Sequence, residues 1–109
     1  MNVEQIDAHG LKNWLDNNAK EQPVLIDVRE PWEFEICHIA NSTLIPMKTM
    51  PSRYTELNKN SPHVIVCHHG NRSQQVALFL ANKGFTNIYN LQGGVDAWAQ
   101  EIEPAMAKY

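Results

Sequence analysis

Cysteine is scarce in this 109-residue chain: Cys37 and Cys67 stand thirty residues apart and outside any Cys-x-x-Cys spacing. That excludes a disulfide scaffold and fits a reducing compartment in which both side chains are free thiols. Glycine occurs only five times and proline six, which excludes collagen-like and low-complexity architectures. Charge of either sign is modest, with a net charge of −3 and a pI near 5.9. A nucleic-acid or anionic-lipid binder would need clustered Lys and Arg, so neither nucleic acid nor membrane is an expected partner. Long apolar runs are also missing. The longest, Val76 to Ala81, is far too short to span a bilayer, and Met1 to Asp7 has neither the basic nor the apolar region of a signal peptide. The expectation is a cytoplasmic protein.

What is present is an ordinary globular composition, 43% apolar and 19% charged, with no internal repeat or linker. One domain over residues 1–109 with a single packed core is expected, frayed only at the tail Ala105-Met106-Ala107-Lys108-Tyr109.

Strand and helix signals alternate. Asp7 can cap a helix whose Leu11, Trp14 and Leu15 fall at i, i+3 and i+4, ending near Asn17-Asn18. Val24 to Arg29 is a short, mostly apolar run that reads as a strand covered on both faces. Glu30 to Ile36 reads as a short helix with Pro31 in its first turn, Thr43 to Ile45 as a brief strand, and Pro51 to Asn58 as another helix. Pro62 to Val66 is a second strong strand. Gln74 to Lys83 is a helix with Gly84 as its stop, Asn87 to Leu91 a further strand, and Val95 to Ile102 a last helix after the turn Gly93-Gly94. Such alternation predicts a three-layer α/β/α domain around a largely parallel sheet, whose ligands meet the carboxyl ends of strands.

Cys67 lies at such an end. In Val64-Ile65-Val66-Cys67-His68-His69-Gly70-Asn71-Arg72-Ser73 an apolar strand delivers one thiol into a loop that a helix closes. Unpaired N–H groups and the dipole at that helix's N-terminus favour the thiolate, which is the nucleophilic form. From Cys67 to Arg72 is a Cys-x4-Arg span with Gly70 free to take a positive φ. So tight a loop makes a small anion nest, sized for one sulfur atom beyond the thiol and too small for a tetrahedral oxyanion.

Four stretches, Asp27-Val28-Arg29-Glu30-Pro31-Trp32-Glu33-Phe34, His38-Ile39-Ala40-Asn41-Ser42, Cys67-x-x-Gly70-x-Arg72-Ser73 and Gly93-Gly94-Val95-Asp96-Ala97-Trp98, together resemble a single rhodanese-domain sulfurtransferase. The resemblance spans about residues 3–103, leaves a tail over 104–109, and implies a largely parallel five-stranded sheet. It implies ping-pong chemistry. Cys67 thiolate attacks the sulfane sulfur of a donor such as thiosulfate, expels sulfite and carries a persulfide, which a thiol or cyanide acceptor then discharges. Thioredoxin is an acceptor the family suggests, because a dithiol can strip a persulfide and close on itself. No metal or organic cofactor is implied. Backbone N–H groups from His68 to Ser73 would steady the persulfide anion. Arg72 closes the loop and holds an anionic donor, and Ser73 either caps the helix or bonds near the sulfur. Asp27 and Arg29 are read as a structural pair beside the site. One departure stands out: the family's Gly-His-Ile-x-Gly-Ala is here Cys37-His38-Ile39-Ala40-Asn41-Ser42, with both glycines replaced.

Plainer roles suit other residues. His68 and His69 read as solvent-facing loop lining, with donor-binding charge as the alternative. His63, His68, His69 and Cys67 lack paired metal-ligand spacing. Cys37 reads as a core residue, and Trp14, Trp32 and Trp98 as core packing. Lys48 and Arg53 read as solvated surface, with a place at the cleft mouth as the alternative. Two rival functions remain: a sulfide-sensing or partner-docking module without turnover, and a cysteine-dependent phosphatase or arsenate reductase. The second normally carries a loop one residue longer, Cys-x5-Arg.

Overall fold

The computed structural model describes residues 2–109. Five strands, β1 (Val3–Ile6), β2 (Val24–Asp27), β3 (Thr43–Leu44), β4 (His63–Val66) and β5 (Ile88–Leu91), form one sheet in the order β1-β5-β4-β2-β3. Every pairing is parallel. Parallel neighbours require crossovers, and the helices α1 (Ala8–Leu15), α2 (Pro31–Ile36), α3 (Met50–Arg53) and α4 (Asn71–Asn82) lie in them, while α5 (Gly94–Glu101) follows the last strand. The three-layer α/β architecture with a five-stranded parallel sheet is the one expected.

Side-chain alternation along β4 divides the core in two. Val64 and Val66 join Leu11 and Trp14 of α1 and Val95 and Trp98 of α5 on one face. Ile65 and Cys67 join Met50 of α3 and Val76, Ala77 and Leu80 of α4 on the other. Each fully buried Leu or Ile is worth about 1.5–3 kcal/mol, whereas exposed, solvent-screened pairs such as Lys12–Asp16 and Arg53–Glu56 contribute little. The core therefore carries the stability, and its parity aims Cys67 at α4.

Several elements differ from expectation. β1 carries no strand signal: Val3 and Ile6 flank the polar pair Glu4-Gln5, a pattern that fits an edge strand bonded only to β5. The helix expected over 51–58 is shorter, Met50–Arg53, between 3-10 turns at Met47–Thr49 and Tyr54–Glu56. α4 starts three residues before the expected Gln74, because Gly70 at φ +107 ends the loop early and puts Arg72 and Ser73 inside the first turn. Trp32 is 58% exposed and not in the core, since on so short a helix only the face bearing Glu33 turns inward. The tail is not frayed: Met106 packs against the first core cluster and Tyr109 hydrogen-bonds across to α2. Lys48 and Arg53 lie in solvent beside Glu30 and Glu56.

The two missing family glycines have different outcomes. Cys37 is extended at φ −164, where any residue fits, while Asn41 takes the left-handed φ of +68. Asparagine is the non-glycine residue that visits this region most readily. We predict that Asn41→Gly leaves the melting temperature unchanged or slightly raised, whereas Asn41→Val lowers stability by about 1–2 kcal/mol, as read by chemical denaturation.

Candidate active site

Cys67 follows β4, the strand between β2 and β5, and is 1% exposed. Its Sγ accepts from the Gly70 backbone N–H at 3.1 Å and lies 3.2 Å from Ser73 Oγ. The positive φ of Gly70 turns its N–H inward, and the first turn of α4 points at the sulfur from above. Ser73 is thus not the cap. Gly70 occupies that position, and the hydroxyl bonds beside the sulfur, the other option its sequence position allowed.

The loop is also held from below by α5. Val95 N–H donates to Cys67 O at 2.9 Å and Asp96 N–H to His68 O at 3.1 Å. Gly94 makes this approach possible. A Cβ there would collide with both carbonyl oxygens, and its φ of +58 disfavours a side chain in any case.

Arg29, two residues beyond Asp27 at the end of β2, is 0% exposed. Its Nε and Nη2 donate to Asp27 at 2.9 and 2.8 Å, Nη2 also to Cys37 O at 2.6 Å, and Nη1 to Glu33 O at 3.3 Å and Tyr109 Oη at 2.8 Å. Burial pulls the guanidinium down, but the hydrogen bonds from Asp27 and Tyr109 outweigh it and hold Arg29 above its ordinary range.

Two residues of this layer had no functional reading in the sequence, Glu33 and Tyr109. Arg72 meets Glu33 as a two-pronged pair, Nη1–Oε1 2.7 Å and Nη2–Oε2 2.9 Å, and Tyr109 Oη donates to Glu33 Oε2 at 2.8 Å. The Arg72 hydrogen bonds hold the Glu33 carboxyl down at about 2 against the opposing effect of burial. Burial pushes the Tyr109 phenol up to about 12. Glu33 carried a weak signal, an acid three residues after Glu30 in a capping-box position, and its side chain does accept from Glu30 N–H at 2.9 Å. Tyr109 carried none.

His68 stacks on the Tyr109 ring, centroids 4.0 Å apart, while His69 is exposed with Nε2 4.0 Å from Asp96. Burial and the neighbouring His69 lower the pKa of His68. The donor atoms of His68, His69 and Asp96 lie within 4.8 Å of one another. The two imidazoles lie against each other, centroids 3.9 Å apart and planes tilted by 33°. His63 lies at the opposite end of β4 from Cys67, buried, with Nδ1 2.8 Å from Ser61 O. Asn71 opens α4 and helps line a cleft of about 300 Å³ beside the loop, with Gln5, Gln74 and Asn90.

A parallel five-stranded sheet with a lone cysteine cradled at the carboxyl end of a central strand defines a class, and the sequence matches it. The chain belongs to the rhodanese-like domain family, whose model matches residues 9–101. Among its relatives, a sulfurtransferase of Allochromatium vinosum is 34% identical over 105 residues, covering 96% of both chains. The thiosulfate sulfurtransferase GlpE of Pseudomonas syringae is 39% identical over 75 residues, 69% of this chain and 71% of that one. The probable adenylyltransferase/sulfurtransferase MoeZ of Mycobacterium tuberculosis is 37% identical over 101 residues, and this chain spans only 25% of its length. A rhodanese-like domain protein of Staphylococcus aureus superposes with a TM-score of 0.83 at 35% identity, over 92% of this chain and 95% of that one.

The Glu33–Arg72 pair makes stability depend on acid. Because the folded-state value of Glu33 lies below the ordinary 4.5, its contribution is complete above that value and is lost as pH falls toward 2. Allowing for solvent around the half-exposed Arg72, we predict that wild type loses about 1–2 kcal/mol more than Glu33→Gln between pH 5 and 2, measured by urea denaturation across that range.

Proposed function

We propose that this protein is a sulfurtransferase in which Cys67 takes sulfane sulfur from thiosulfate or a related small donor and passes it on. The observation that carries this reading is the cradle of Cys67 itself, a sulfur facing one backbone N–H and one hydroxyl at the start of a helix. The names of the relatives point the same way. In the first half-reaction the Cys67 thiolate attacks the outer sulfur of the donor, the S–S bond of thiosulfate breaks, and sulfite leaves with the bonding pair. The persulfide anion that remains extends toward the loop, where inward-facing N–H groups and the α4 dipole favour negative charge. In the second, a thiol or cyanide attacks the outer sulfur and the Cys67 thiolate departs. A dithiol of the thioredoxin type suits this step, since its second thiol resolves the mixed product. A reducing, cytoplasmic setting would keep both cysteines free.

The loop residues take supporting parts in this proposal. Gly70 supplies the turn and the N–H, Ser73 the hydroxyl, and His68, His69 and Asn71 form the rim. Arg72, bound to Glu33 in a two-pronged ion pair, is held in the first turn of α4 and is not free to close on the donor. Asp27 and Arg29 hold the floor.

Intact mass after brief exposure to thiosulfate tests the proposal. Wild type should gain one sulfur atom and lose it on adding a reducing thiol, and Cys67→Ser should neither gain mass nor transfer sulfur to cyanide, because a hydroxyl is a far weaker nucleophile than a thiolate. Sulfur transfer retained in Cys67→Ser would overturn the assignment.

A further inference from the structure

Beside the sulfur runs a line of side-chain amides that the chemistry above does not use. Ser73 Oγ donates to Asn90 Oδ1, Asn90 Nδ2 donates to Gln5 Oε1 at 2.9 Å, and Gln5 Nε2 donates to Gln74 Oε1 at 2.7 Å. Gln5 and Asn90 face each other in register on β1 and β5, and Ser73 and Asn90 are both buried. The order of donors has a consequence for Cys67. A serine hydroxyl has one proton, and here that proton is given to Asn90. Ser73 can then only accept from Cys67, which suits a thiol S–H and leaves an anion at the same place facing a lone pair 3.2 Å away.

The line can run the other way on the same heavy atoms. If each amide turns end for end, Gln74 donates to Gln5, Gln5 to Asn90, Asn90 Nδ2 to Ser73 Oγ, and Ser73 turns its proton onto the sulfur. No charge moves along the line, every buried polar atom keeps a partner, and the thiol proton leaves to solvent. The anion then has two donors, Gly70 N–H and Ser73 O–H. We infer that Asn90 and Gln5 are positioning residues, a reversible amide relay that sets whether Ser73 accepts from the Cys67 thiol or donates to its anion.

The inference rests on Cys67 acting as an anion, and its test reads that property without sulfur transfer. The rate at which iodoacetamide modifies Cys67, followed by peptide mass between roughly pH 5 and 10, reports the reactive anion directly. Gln5 is exposed on an edge strand, so substitutions there leave the fold intact. Gln5→Glu is acceptor-only and holds the line in its outward direction. It should slow Cys67 modification about tenfold at neutral pH and move the profile to higher pH, the loss of one hydrogen bond to an anion. Gln5→Lys is donor-only and should move the profile the opposite way. In a Ser73→Ala background both effects should shrink to within about threefold, the residue of screened charge acting through space. Profiles that coincide with wild type, or shifts of equal size with and without Ser73, would overturn the relay. If instead Cys67 never takes up sulfur from any donor while these shifts appear, the relay stands and the proposed transfer falls.

Discussion

The buried guanidinium of Arg29 is the constraint on which the end of the sheet depends. A cation with no exposed surface is tolerable only if its donors are met, and Arg29 meets acceptors on β2, on α2, at the end of α2 and on the tail. Truncating such a group costs about 3–5 kcal/mol, mostly because the partner charge, here Asp27, is then left buried alone. The reach of Arg29 also explains why α2 is worth its short length. By gripping Glu33 O and Cys37 O it fixes the helix that aims Glu33 at Arg72, so a cation under β2 sets the position of the first turn of α4. The C-terminal segment is held by the same group through Tyr109, and the phenol passes the link on to Glu33.

Backbone geometry does the rest, through two glycines that act on opposite sides of one loop. Gly70 turns its N–H toward the sulfur, and Gly94 lets the first amides of α5 reach the carbonyls of Cys67 and His68. The loop is therefore pinned at two of its carbonyls while the Gly70 amide points to the sulfur. That polarity, a donor inward and acceptors engaged elsewhere, suits an anion, and it arises from main-chain groups that no conservative side-chain change would disturb. It also explains why a Cβ at Gly94 is intolerable although Gly94 lies twenty-odd residues from the cysteine it serves.

The legible part of this molecule was local. The apolar runs of β2 and β4, the 3.6 spacing of α1 and α4, Gly70 and the thiol at a strand end are all short-range patterns, and the fold and the place of Cys67 follow from them. What could not be read depends on pairings between distant residues or on burial without an apolar signal. β1 has two apolar residues in four and becomes a strand only because β5 lies beside it. Glu33 and Tyr109 meet across 76 residues, and Asn90 reaches Gln5 across 85. Trp32 misled for the converse reason. An aromatic in a short helix reads as core, yet the turn spends its buried face on a carboxylate that Arg72 neutralises.

The two sides of the Cys67 loop differ in kind, and the difference bears on how its charge is controlled. On the α2 side the groups are ionic: Arg72, Glu33, Arg29 and Asp27 can each only donate or only accept, and the held-down Glu33 keeps that arrangement one-way across the neutral range. On the β5 side the groups are amides and a hydroxyl, each able to present either a proton or a lone pair. A purely ionic surround would favour one protonation state of the sulfur at all times. A purely neutral one would provide no fixed field. Under the proposed transfer Cys67 would be an anion, then bonded sulfur, then an anion again within one cycle, which calls for fixed charges on one flank and a reversible partner on the other; Arg72 and Ser73, adjacent in the first turn of α4, stand on those two flanks.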